Sequence, residues 1–130
     1  MTATTKNTDT PKRDGYQFSA PIKAGEYILQ GTMVGIDATN LAIDYVTANA
    51  VACLGVAEFQ ADNTSGGDAE LMAETRKGTQ RFVNGDGIVL SDIGADAYAL
   101  DNITITKGVN GIVVGTIADV DSRGVWVTFK

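Results

Sequence analysis

Beyond Gly15 the apolar and polar positions alternate in short runs broken by turn residues, which is the period of half-buried strands. Tyr16, Phe18 and Ala20 alternate with Gln17 and Ser19 and stop at Pro21. After Lys23-Ala24-Gly25 a second apolar-rich stretch, Glu26–Ile36, runs into Asp37-Ala38-Thr39-Asn40. That tetrapeptide is turn chemistry, because Asp and Asn bond nearby backbone and tolerate left-handed conformations. Leu41, Ile43 and Tyr45 alternate again, and Val51–Ala61 predicts a longer strand bent at Gly55. The glycine-rich run Asp62–Asp68 predicts a hairpin turn joining Val56–Ala61 to Ala69–Lys77. Gln80–Val83 is a short strand, and Leu90–Gly94 reads as one helical turn with Ser91 as N-cap and Gly94 as stop. Two further hairpins follow, Ala97–Leu100 with Ile103–Thr106 and Ile112–Val120 with Val125–Phe129.

No stretch carries a helical period long enough for a stable helix. Short strands with Gly-rich turns predict an all-β fold, a compact barrel or sandwich of antiparallel strands. A faint internal repeat supports it. The order strand, Asp-turn, strand, loop, Gly-led strand, hairpin, strand spans Val34 to Arg76 and recurs from Ala97 to Phe129, with Gly55 and Gly115 in matching places.

The beginning of the chain differs. Residues 1–14 hold no bulky apolar side chain after Met1, so they cannot bury enough surface to offset the entropy of ordering. The expectation is an extended N-terminal arm over residues 1–20, followed by a single domain over 21–130. Fourteen extended residues reach roughly 46 Å.

Composition narrows the chemistry. The 130 residues contain no histidine and one cysteine, Cys53, which removes imidazole catalysis, His-built metal sites and any intrachain disulfide. No apolar run is long enough for a membrane helix, and the first residues lack a signal-peptide core, so a soluble, non-secreted domain is expected. The formal charge is −6 and unevenly spread. Residues 1–14 hold three basic and two acidic side chains, a balance of +1; the rest hold seven and fourteen, a balance of −7. An acidic body is a poor match for nucleic acid.

Candidate chemistry is sparse. Asp37, Asp62, Asp68, Asp86, Asp101 and Asp121 sit in turns, where the carboxylate caps backbone N–H groups. Asp62–Ala73 fails as a calcium loop, because Gly66 stands at its fifth position and Ala73 at its twelfth. Gly85-Asp86-Gly87 lacks a dinucleotide fingerprint. Cys53, in an apolar run with no basic neighbour, reads as an inert buried thiol. Arg76, Lys77 and Arg81 cluster around Gly78 as a solvated strand end. Trp126 lies on the opposite side of its strand from Val125, Val127 and Phe129, so one side is core and the other is a candidate oligomer surface. The expectation is no enzyme, no cofactor and no metal.

One ordered set of pieces spans nearly the whole chain past residue 10: Lys12-Arg13-Asp14-Gly15-Tyr16, Ala24-Gly25, Gly31–Asp37, Gly55-Val56-Ala57, Asp62–Asp68, Arg76-Lys77-Gly78, Asp92-Ile93-Gly94, Gly115–Asp121 and Gly124–Val127. In this order the chain resembles the small capsid decoration, or cement, proteins of tailed bacteriophages and Mu-like prophages. The resemblance implies a non-enzymatic virion protein made in the bacterial cytoplasm. It would sit on the outer surface of the head, as a homotrimer, and clamp the major capsid protein lattice against packaged DNA. Neither nucleic acid nor membrane is an expected partner. The expected capsid contact is the arm, with Lys6, Lys12, Arg13, Tyr16 and Phe18; the expected subunit interface is Trp126 with Val125 and Val127. Two alternatives are a carbohydrate-binding or structural β-domain of a tail or fibre, and a trimeric dUTPase-like hydrolase.

Overall fold

The computed structural model describes residues 2–10 and 16–130. It is all-β, with one 3-10 turn over Leu90–Asp92. The strands are β1 (Gln17–Pro21), β2 (Tyr27–Ile28), β3 (Met33–Ile36), β4 (Ala42–Asp44), β5 (Ala52–Ala57), β6 (Ala61–Asp62), β7 (Met72–Arg76), β8 (Thr79–Asn84), β9 (Asp96–Ala99), β10 (Thr104–Thr106), β11 (Val113–Asp121) and β12 (Gly124–Phe129). One sheet has the order β1-β7-β5-β3-β4, and β10-β8-β12-β11-β9 form a closed barrel.

These two sheets are copies of one arrangement. Reading β8, β12, β11, β9 and β10 for β1, β7, β5, β3 and β4 turns one order into the other. The registers follow: Gln17↔Arg76 corresponds to Thr79↔Thr128, Val34↔Gly55 to Ala97↔Gly115, and Ile36↔Ala42 to Ala99↔Ile105. Loop hydrogen bonds repeat as well. Gly31 N donates to Ala57 O at 2.9 Å, as Gly94 N does to Ile117 O at 2.9 Å. The faint sequence repeat is therefore a structural one, a first half over 16–77 and a second over 78–130.

Gly55 and Gly115 occupy matching bulges. In each half the register skips one residue, Leu54 or Val114, beside the glycine. A Cβ at Gly55 would collide with the Arg76 carbonyl, and one at Gly115 with that of Thr128. Only glycine lets the bent strand approach its neighbour this closely.

The two halves close differently. In the second, parallel pairing of β8 with β10 seals the barrel: Val83 N donates to Ile103 O and Gly85 N to Ile105 O, both at 2.9 Å. In the first, Lys23 N donates to Ala42 O at 3.0 Å, and one bridge, Ile22↔Ala42, spans the seam. Pro21 holds the place of Val83 and has no N–H to give.

Each half, the barrel-like first sheet and the closed second barrel, encloses a hydrophobic cluster. Ala20, Ile22, Ile28, Val34, Ala42, Ala57 and Ala73 fill the first. In the second cluster, Phe82, Ile88, Ala97, Ile105, Ile117, Val125, Val127 and Phe129 of the second half are joined by Met33, Ile43, Tyr45 and Val56 of the first. Those four lie on the outside of the first barrel, so the halves share one core. Met33 N donates to Asn102 O at 2.8 Å and Asn102 Nδ2 to Asp44 Oδ1 at 2.8 Å across the junction.

Three expectations need correcting. The arm does not extend through residue 20: Gln17–Pro21 is a strand in register with Met72–Arg76, drawn in by Ala20, which is buried. Asp62–Asp68 is not a simple hairpin turn. β5 and β7 do pair, at Val56↔Arg76 and Ala57↔Thr75, but Ala61-Asp62 leaves them to pair with Tyr27-Ile28. The buried Asn63 then holds the loop through bonds from Nδ2 to Lys23 O and Gly67 O, both 3.0 Å. Ser91 is not the N-cap of the short turn. Val89 holds that position, and the Asp92 carboxylate accepts its N–H at 2.9 Å. Asp37–Asn40 does form the expected turn, with Asp37 Oδ1 accepting from Thr39 N and Leu41 N.

Candidate functional site

The arm residues expected to meet a partner fall into three groups. Residues 2–10, Lys6 among them, are all exposed, and among the described residues their side-chain hydrogen bonds stay within the segment, from Thr4 and Thr8 to Lys6 O. Lys12 and Arg13 lie outside the described residues. Tyr16 and Phe18 belong to the body. Tyr16 is exposed and packs beside Gly78, where a Cβ would meet its ring, and Lys77 Nζ lies 5.2 Å over the Phe18 ring.

The expected subunit interface divides along the pleat of β12. Val125 and Val127 are fully buried in the second barrel and present nothing to another chain, which corrects that expectation. Trp126 points outward but is already engaged. Its Nε1–H donates to Asp121 Oδ2 at 2.9 Å, and the Arg81 guanidinium lies 5.8 Å over the ring. The Trp126 bond, followed by the Arg123 N–H, holds the Asp121 carboxyl below its ordinary pKa.

The carboxylates act as structural acceptors. Asp37 is nearly buried, and the Lys23 ammonium at 2.9 Å, then the Thr39 hydroxyl, hold its carboxyl well below the usual range. A cleft of about 520 Å³ beside this pair includes Glu26 and Asp44, but Glu26 Oε1 accepts Asp44 N and Asp44 Oδ1 accepts Asn102. No two carboxylates here share a proton-transfer geometry. A second cleft, about 390 Å³, is lined by Val51, Cys53, Ile112, Val114 and Lys130. Burial pushes the Cys53 thiol up to about 11, so little thiolate forms near neutrality. Among the described residues, no three His, Cys, Asp or Glu side chains are grouped to hold a metal ion, and no helix is long and apolar enough to cross a membrane.

Large apolar side chains are exposed in several places, two of them beside turns. Val89, Leu90 and Ile93 surround the 3-10 turn, and Phe59, Leu71 and Met72 flank the excursion between β5 and β7. Sequence pattern gave no sign of either, because an apolar residue in a turn has the same letters whether or not something covers it. Comparison with protein-family models, curated proteins and solved structures finds no match. The surface itself offers an exposed leader, a sheet and barrel whose carboxylates serve the fold, and bare apolar patches.

Proposed function

We propose that this chain is a structural decoration protein of a tailed-phage head. It binds the outside of the major capsid protein lattice as a homotrimer and stabilises the expanded shell against packaged DNA. The observation that carries the reading is the leader: residues 2–10 are exposed and, among the described residues, their side-chain hydrogen bonds stay within the segment, beside a body built of a five-stranded sheet and a closed barrel.

The physics favours fastening over catalysis. A Thr-rich leader can order as an added strand on a sheet edge of a capsid subunit, where backbone hydrogen bonds supply affinity without a deep pocket. Several leaders on one assembly raise avidity by ~10²-fold or more, provided their reach matches the spacing of the sites. The acidic body suits the outer side of a shell, away from packaged DNA. Lys6, Lys12 and Arg13 give the leader the opposite sign and make it the contact, with Tyr16 and Phe18 at its root.

Deletion of residues 1–14 tests this. The shortened chain keeps its folded body, and its attachment to empty expanded heads of the phage encoding it falls at least tenfold. Undiminished attachment removes the leader as the contact.

A further inference from the structure

The repeat locates a segment that one half braces with a paired strand and the other leaves unbraced, although Tyr27 and Leu29 stay exposed in the braced copy. In the first half, segment 23–32 lies under the 58–71 excursion: Ala61-Asp62 pair with Tyr27-Ile28, and Asn63 N donates to Glu26 O at 2.9 Å. In the second half the matching segment, 85–95, links the matching strands, but the connection from β11 to β12 is only the turn at Asp121–Gly124. Among the described residues no strand pairs over it. Val89, Leu90 and Ile93 are left in solvent, Leu90 at 62% exposure.

The bare segment is firmly held. The Asn84 side chain accepts Ile88 N and donates to Ile88 O. Asp92 Oδ2 accepts Val89 N and Lys107 Nζ. Gly94 N donates to Ile117 O. Three aliphatic side chains thus stand on a pinned knob, which meets a partner with little loss of conformational entropy.

The chain itself carries a fitting counterpart. The outer side of the excursion and the start of β7 expose Phe59, at 64%, with Leu71 and Met72, and the exposed carboxylates Glu70 and Glu74 lie among them. At the knob's end of the second half Arg123 is exposed, Lys107 is paired with Asp92, and Asp86 and Asp121 are engaged by backbone donors of their own half. Apolar surface faces apolar surface, and the Arg123 guanidinium faces exposed carboxylates. We propose that the Val89–Ile93 knob of one copy seats on the Phe59–Met72 surface of a second copy. The excursion would then brace the second half of a neighbour as its Ala61-Asp62 strand already braces the first half of its own chain. Such a contact joins two different surfaces, so copies follow one another head to tail and close into a ring when the rotation allows. The inference stands whether or not the protein binds a capsid.

The test is the solution mass of the full chain by sedimentation and native mass spectrometry. Wild type forms an assembly larger than one 13.6 kDa chain. Leu90→Asp and Phe59→Asp, both at exposed positions, each fall to the single-chain mass, with thermal melts confirming that both remain folded. Val109→Asp, exposed elsewhere, keeps the wild-type mass. Mixing the two single variants gives a one-to-one dimer, because each retains the surface the other has lost. A wild type that stays a single chain at every concentration overturns the proposal, as does an assembly that survives either substitution. Failure of the mixed variants to pair points to a knob-to-knob contact and overturns it equally.

Discussion

Pro21 and Val83 occupy the same position in the two halves, and the difference of one N–H separates the closed barrel from the sheet joined by a single bridge. Val83 N reaches Ile103 O at 2.9 Å, whereas Pro21 has no donor and its seam is spanned by the Ile22↔Ala42 bridge. Val83→Pro therefore destabilises the chain by about 2 kcal/mol, from the lost bond and its stranded acceptor. Val83→Ala costs less, because that side chain is half exposed. Pro21→Ala shifts stability by less than about 1 kcal/mol, since nothing at that N–H is lost. Urea unfolding of the three variants checks the ordering.

The bulge glycines give a second expectation. Gly115→Ala and Gly55→Ala drive a methyl into a neighbouring backbone carbonyl and cost roughly 2–4 kcal/mol each. Gly31→Ala meets no atom within 4 Å and carries only the strain of its φ of +81°, about 1 kcal/mol. Equal losses at all three positions would contradict the matched bulges.

Acid weakens the fold through Asp37. Its carboxyl is held below the ordinary 3.8 by Lys23, then Thr39, so its contribution is fully present above pH 3.8 and is lost as pH falls toward the depressed folded value. Lys23 is raised above 10.5 by the same bond, so its share fades only at more alkaline pH. Asp37→Asn lowers the urea midpoint at pH 7 and flattens the decline below pH 4. An unchanged acid limb would rule out this pair as its source.

Trp126 tests the division between core and surface on β12. Trp126→Phe removes the Nε1–H bond to Asp121 at the surface, costs about 1 kcal/mol or less, and leaves the solution mass unchanged. Val127→Asp, on the buried side, prevents folding by placing an unpaired charge in the barrel.

Much of the fold was legible in alternation. The Asp37–Asn40 turn, the hairpins at Asp101-Asn102 and Asp121–Gly124, and the matching of Gly55 with Gly115 follow from side-chain period and turn chemistry. The depth of the repeat was not legible, because the two halves use the same strand for different burial. Met33 and Val56 on the outside of the first barrel pack into the shared core, whereas Asp96 and Thr116 at the same positions in the second face water. Identity vanishes where geometry is conserved between the halves. The pairing of Ala61 with Ile28 was hidden for another reason: a two-residue strand leaves no period to read. For the surface, sequence separated Trp126 from Val125 and Val127 but could not say that Arg81 and Asp121 would occupy the indole, or that Leu90 would stand uncovered.

The most direct test of the decoration reading is cryo-electron microscopy of empty expanded heads mixed with excess purified chain. Added density is expected on the outer surface at repeated lattice positions, fitted by the two-part β body, with the leader running onto the capsid subunit. Heads that remain bare at saturating protein would contradict it.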